Sequence, residues 1–175
     1  LTGSPIVKLQ KKGESITFRL AAGAKFEAKH FIKEDGKYTV SSCPKIMNNL
    51  PCSFCETFFG LIKEAKEEPD ENKKKAIKEE ARNFKAAVSF YFPIVDRQDG
   101  KAKILQTTTS VRTKFEDFHN AGYEVLSQDF VLTRTEGAAS DYYSLLPSPK
   151  SKPLTKEEEI EYEKAKGMDV EKLIG

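Results

Sequence analysis

The chain has 175 residues, 32% of them charged and none of them Trp, and no apolar run approaches the length of a membrane-spanning helix. Its 29 basic and 27 acidic residues nearly cancel, so net charge alone does not announce a polyanion binder. Residues 151–175 carry 5 Lys and 7 acids, which leaves 24 basic against 20 acidic residues in 1–150. A mildly basic body with a mildly acidic end is a weak pointer to a polyanionic partner. The length suits one domain, or one domain with appendages. The chain opens at Leu1 rather than Met, which reads as a trimmed or proteolytic core with further material at either end.

In chain order, residues 5–9 (PIVKL) and 15–20 (SITFRL) read as strands around a Lys-Lys-Gly-Glu turn. Ile16, Phe18 and Leu20 alternate with Thr17 and Arg19, which gives one apolar and one polar face. Residues 26–32 and 37–42 form a second pair, joined by the turn Glu34-Asp35-Gly36-Lys37. From 56 to 84 the pattern becomes helical, with apolar residues at Phe58, Leu61, Ile62 and Ala65. Pro69-Asp70 stops one helix, and the next runs over about 71–83. Its Lys73-Lys74-Lys75 and Glu79-Glu80 clusters support a solvated helix face more readily than a DNA contact.

Residues 84–95 alternate again, with Ala86, Val88, Phe90, Phe92 and Ile94 on one side and Lys85, Ala87, Ser89 and Tyr91 on the other. Asp99-Gly100 turns the chain into a return strand over 103–106. Val111, Phe115 and Phe118 fit a short helix ending near Gly122. Residues 129–135 and 141–146 read as strands around Glu136-Gly137-Ala138, and Pro147, Pro149 and Pro153 end them. Thr155 and Glu158 form a capping-box pattern that opens an exposed helix over 155–166, with Gly167 as its stop. Short strands with an inserted helical segment fit a small closed or partly open barrel better than a doubly wound sheet.

All three cysteines and one of the two histidines fall within residues 30–55, spaced His30-x12-Cys43-x8-Cys52-x2-Cys55. A hairpin brings His30 and Cys43 near each other, and Cys52 and Cys55 share a tight turn. One nitrogen and three sulfurs suit a tetrahedral Zn²⁺, and four protein ligands leave no open position, so the ion is structural. The other readings are a redox C-x-x-C pair, which usually needs a thioredoxin-like βαβ setting, a disulfide with one cysteine left over, and three unrelated buried thiols. His119 is the rival histidine.

No phosphate-cradling Gly-rich loop and no G-x-S-x-G elbow is present, and two histidines leave little for nucleophilic catalysis. The chain is therefore expected to bind rather than to catalyse. Basic residues interleave with aromatics on the strands. The candidate nucleic-acid contacts are Arg19, Lys25, Lys29, Lys37, Tyr38, Lys85, Tyr91, Lys101, Lys103, Arg112 and Lys114. Single-strand binders combine a basic groove with aromatic faces on which bases stack, worth about 1–3 kcal/mol per base. Phe18, Phe90 and Phe92 read as core, whereas Tyr91, on the opposite face, and Tyr38, beside Lys37, read as stacking rings.

The order of the basic strand pair, His30, Cys43-Pro44, Cys52-Ser53-Phe54-Cys55, the charged helical insert, AAVSFYFPIVD, GKAKIL, DFVLTRTEG and DYYSLLPSP resembles the zinc-containing OB-fold single-stranded DNA-binding proteins of tailed phages, the T-even-type helix-destabilising family. The likeness runs over most of residues 6–172. Its most specific parts are the zinc pattern and the DFVLTRTEG–DYYSLLP segment. CSFC stands where relatives commonly have CPxC, and it keeps both ligands.

The resemblance implies a mainly β chain with helical insertions, an OB-fold or five-stranded Greek-key barrel with a structural zinc subdomain. The barrel core would span 1–150, with the zinc loop at 30–55 and the helical insert at 56–84. Residues 151–175 would be a helical, mildly acidic extension. The resemblance also implies sequence-tolerant coating of single-stranded DNA in phage replication, recombination and repair, in the cytoplasm of an infected bacterium. Self-association along DNA, replication and recombination proteins as partners, and no membrane go with it. The alternative is a zinc-stabilised adaptor of a replication or transcription complex that does not itself bind DNA.

Overall fold

The computed structural model describes residues 5–136 and 142–174. Along the chain come β1 (Ile6–Val7), β2 (Ser15–Leu20), β3 (Lys25–Glu34), β4 (Lys37–Ser42), α1 (Pro44–Asn48), α2 (Ser53–Glu67) and α3 (Glu71–Arg82). Then follow β5 (Ala87–Asp96), β6 (Ala102–Thr107), α4 (Thr109–Asn120), β7 (Asp129–Arg134), β8 (Tyr143–Pro147), α5 (Lys156–Lys166) and α6 (Val170–Ile174). The chain divides into two compact units, one of residues 1–26 with 89–175 and one of residues 27–88. It leaves the first unit along β3 and returns along β5. No helix among the described residues is long and apolar enough to cross a membrane.

The first unit is built on a mixed sheet in the order β1-β6-β5-β2-β7-β8, with β1 parallel to β6 and the other neighbours antiparallel. Among the described residues this path ends at β1 and β8 and does not return on itself as a closed barrel would. The second edge of β6 is taken by β1, through Ile6↔Ile104 and Val7↔Leu105. The period-2 alternation that marked β2 in the sequence sends Ile16, Phe18 and Leu20 to one face, where they meet Phe92, Ile94, Leu105, Phe130 and Leu132.

Helix α4 closes this core. Its residues Val111 and Phe115 are buried, and the Phe115 ring sits 5.2 Å from Phe92, 5.2 Å from Phe130 and 6.1 Å from Phe18. Aromatic rings at these separations and tilts add attraction beyond the area they bury.

The opposite face of the sheet is covered by the C-terminal helices. Ala165 of α5 packs on Ala21 and Ala102, and Val170 of α6 packs with Tyr91 and Ile104. The expected capping box forms in full, with Thr155 accepting from the Glu158 backbone N–H and Glu158 accepting from that of Thr155. The helix is largely exposed, as expected, and docks through the fully buried Ala165, with Tyr162 and Met168 packed beside it, and through the ion pair of Glu158 with Arg97.

The second unit holds the β3–β4 hairpin, α1 and the α2–α3 helical pair. The hairpin turns at Asp35 (φ 49°) and Gly36 (φ 77°), two successive left-handed residues of the kind a tight two-residue turn requires. Asp70 caps α3 by accepting from the backbone N–H of Asn72 and Lys73. The two helices pack on each other, and each buries one alanine completely, Ala65 in α2 and Ala81 in α3. Of the turn expected at Glu136-Gly137-Ala138, Gly137 and Ala138 lie outside the described residues, as does Asp141 at the start of the strand expected over 141–146.

Candidate metal centre and nucleic-acid interface

In the second unit, the alternation of β3 turns Ala28, His30 and Ile32 inward, each at most 2% exposed. Pairing of His30 with Ser41 brings the end of β4 beside it, and the Cys43 backbone N–H donates to the Ala28 carbonyl at 2.9 Å. Cys43 is then the N-cap of α1 and Cys52 the N-cap of α2, with Cys55 in the first turn of α2. Helix N-termini carry partial positive charge, which favours thiolates there.

The four donor atoms lie within 4.8 Å of one another, and all four residues are buried. Cys43 Sγ is 3.4 Å from Cys55 Sγ, and His30 Nε2 is 3.3 Å from Cys52 Sγ and 3.5 Å from Cys55 Sγ. In a regular tetrahedron around zinc, Zn–S and Zn–N bonds of about 2.3 and 2.0 Å place donors about 3.5–3.8 Å apart. The cluster is thus near the size one such ion needs, and it can hold one metal ion. His119 does not belong to it; that residue sits on α4 of the first unit.

Thiol electrostatics agree with a cation as the missing charge. Burial pushes the Cys55 thiol up, to about 12, and the neighbouring Cys43 and Cys52 sulfurs push it the same way. At Cys52 burial also opposes ionisation, but hydrogen bonding from Cys55 and Phe54 outweighs it and the net direction is down. The protein alone therefore lowers the Cys52 thiol and raises that of Cys55. A cation bound among the sulfurs would favour their thiolate form.

The first unit carries an open groove of about 690 Å³ along α4 and the start of β3. Its aromatic wall is Phe26, 44% exposed, and Phe90, with ring centroids 6.1 Å apart. The Arg112 guanidinium lies 5.7 Å from the centre of the Phe90 ring and is held by Glu116 at 2.7 Å. His119 and Asn120 supply the polar end of the groove, and Leu126 its outer lip. A planar cation over the half-buried Phe90 ring, with the exposed Phe26 ring beside it, can take a flat conjugated group with an anion attached.

Among the residues singled out from sequence, Arg112 lies on this groove and Lys25 is exposed next to Phe26. Lys37 and Tyr38 are exposed on the hairpin of the second unit, Lys29 is held there by Glu27 at 2.8 Å, and Lys85 is exposed in that unit. Lys101 is exposed at the β5–β6 turn.

Four others are turned to structural work. Arg19, 6% exposed, bonds Asp129 and the Lys152 carbonyl. Tyr91, 6% exposed, lies with Ile104 under Val170, so the face expected to stack bases is occupied by the chain's own C-terminal helix. Lys103 bonds Asp96 and Asp99, each at 2.7 Å; burial works against its charge, and the two carboxylates outweigh this and raise its pKa. Lys114 donates to the Tyr143 carbonyl at 2.8 Å.

Sequence reasoning did not single out Phe26. Phe18 and Phe92 are buried as expected, and Phe90 packs against the same core while its half-buried ring also lines the groove. The available signal was Gly23, which breaks the strand run just before Lys25-Phe26 and leaves that ring at the start of β3. Comparison with protein-family models and with curated proteins finds no match.

Proposed function

We propose that the protein binds single-stranded DNA without sequence preference and without catalysis, and that the His30, Cys43, Cys52 and Cys55 set holds one structural Zn²⁺. The observation that carries the reading is the groove of the first unit, where Phe26, Phe90 and the Arg112 guanidinium sit together at solvent. Stacking on rings is sequence-tolerant because every base has a π-face. Zinc follows from three soft thiolates and one imidazole with no position left for a substrate.

The strand order β6-β5-β2-β7-β8, with α4 between β6 and β7, supports an OB-type barrel opened at one seam. The sequence resemblance to the phage single-stranded DNA-binding family supports the same ligand. It adds work in replication, recombination and repair inside an infected bacterium, self-association along the strand, and replication proteins as partners.

Titration with oligo-dT at a series of salt concentrations tests this. Lysine and arginine contacts to phosphates release counterions, so affinity falls steeply as salt rises. A flat salt response, or no binding at low salt, overturns the reading. The second reading is a zinc-stabilised adaptor that binds protein and no DNA. It draws on Ile46, Leu50 and Phe59, apolar side chains 40–56% exposed on and around α1 and α2. The same titration separates the two, since the adaptor gives no complex with oligo-dT.

A further inference from the structure

The β3–β4 hairpin has two unlike faces. Its inner face carries Ala28, His30 and Ile32 into the metal cluster of the second unit and its surroundings. Because His30 is fixed inward, the period of two fixes Lys29, Phe31 and Lys33 outward. Register then sets Phe31 opposite Val40 and Lys33 opposite Tyr38. The outward face thus presents three large side chains to water, Phe31 at 48%, Val40 at 54% and Tyr38 at 69% exposure. An exposed apolar cluster of this kind, on strands with a fixed register, marks an interaction surface.

We propose that this outward face is a second base-stacking surface for single-stranded nucleic acid, with Phe31 and Tyr38 as the platforms and Lys33 as the phosphate contact. The proposal rests on the single-strand-binding reading above and extends it to the second unit. The arrangement along β3 is cation, ring, cation, at Lys29, Phe31 and Lys33. Alternate residues of a strand are about 6.6 Å apart, comparable to the span between successive phosphates of an extended nucleic-acid strand. Lys33 already lies 5.6 Å above the Tyr38 ring, the geometry in which a ring and a cation serve one nucleotide together.

The acids of the hairpin do not oppose this. Glu34 falls on the other face by the same alternation and pairs with Lys37 in the last rung, Asp35 is in the turn, and Glu27 is tied to Lys29. Adjacent strands carrying exposed rings on one face are the device by which sheet surfaces stack two or three bases.

The test uses the full chain with its metal bound. Ultraviolet crosslinking to an oligonucleotide of 5-iodouracil, followed by peptide mapping, is expected to mark Phe31 or Tyr38 in addition to groove residues. The double variant Phe31→Ala, Tyr38→Ala is expected to bind oligo-dT about tenfold or more weakly, with unchanged metal content and circular dichroism. If the wild type binds oligo-dT, crosslinks only in the groove and loses nothing in the double variant, the hairpin proposal is overturned and the groove reading stands. If the wild type binds no oligonucleotide at low salt, both fall, and the face is then a protein-docking surface. Crosslinking on the wild type keeps the question decidable should the double variant fold poorly.

Discussion

Arg19 of β2 stands directly opposite Asp129 of β7, and its Nε donates to Asp129 Oδ1 at 2.8 Å with both side chains under 10% exposed. Asp129 is also approached by Arg97 at 3.5 Å and accepts from the Lys152 backbone N–H, while Arg97 reaches Glu158 of α5. The pair is therefore the knot that fastens the C-terminal segment to the sheet. Removing one partner of a buried pair leaves the other charge uncompensated, so Asp129→Ala is expected to destabilise the fold by about 3–5 kcal/mol in urea unfolding. Replacing both Arg19 and Asp129 by apolar residues of similar volume is expected to recover much of that loss. A loss under about 1 kcal/mol for the single variant would place the pair among weak surface bridges instead.

Metal removal is expected to loosen the second unit. Among the described residues the apolar side chains around the cluster are few, mainly Ala28, Met47, Phe54, Ala86 and Val88, so a bound ion would supply much of what holds the hairpin to α1 and α2. Cys52→Ser, or a strong chelator, is expected to lower the melting temperature by about 10 °C or more. Elemental analysis should find one metal ion per chain. Unchanged melting in chelator contradicts the structural assignment.

The pH response should change sign with metal. In the metal-free protein the Cys55 thiol titrates at about 12 instead of its ordinary 9.0. Its folded value lies above the unfolded one, so the stability it contributes is full below pH 9 and is lost as pH rises towards 12, because the unfolded chain gives up its proton first. With metal bound the thiolates are ligands, so stability rises with pH and is lost on acidification. The lowered Cys52 thiol acts the other way below pH 9, so urea midpoints without zinc should fall with rising pH only above pH 9, whereas with zinc they should fall on acidification.

Groove variants should separate binding from folding. Phe90→Ala and Arg112→Ala are each expected to weaken oligo-dT binding by about tenfold. Tyr91→Ala sits one residue away but on the opposite face of β5, among Ile104 and Val170, and is expected to lower stability while leaving intrinsic affinity unchanged. Equal losses of affinity in all three would argue against the groove as the site.

Local pattern determined much of this protein. Alternation placed β2 and β5 and chose Phe18 and Phe92 for the core. The Asp-Gly signal placed the hairpin turn, Pro69-Asp70 placed the break between α2 and α3, and Thr155 with Glu158 placed the start of α5. The four metal donors were legible because His30-x12-Cys43-x8-Cys52-x2-Cys55 is itself a statement of which side chains can converge. These features depend on neighbours within a few residues or on one hairpin, and sequence spacing encodes them.

Tertiary structure alone decided which face of the sheet stays open. Arg19, Tyr91 and Lys103 look like contacts for a partner when only their own strands are read. Arg19 and Tyr91 are consumed by residues far along the chain, Asp129 and Val170, and Lys103 by Asp96 and Asp99 across its own hairpin turn, because a charge or a ring on a covered face must be matched by whatever packs there. The ring that escaped notice, Phe26, packs against Phe90 of β5 and still keeps 44% of its surface exposed at the groove.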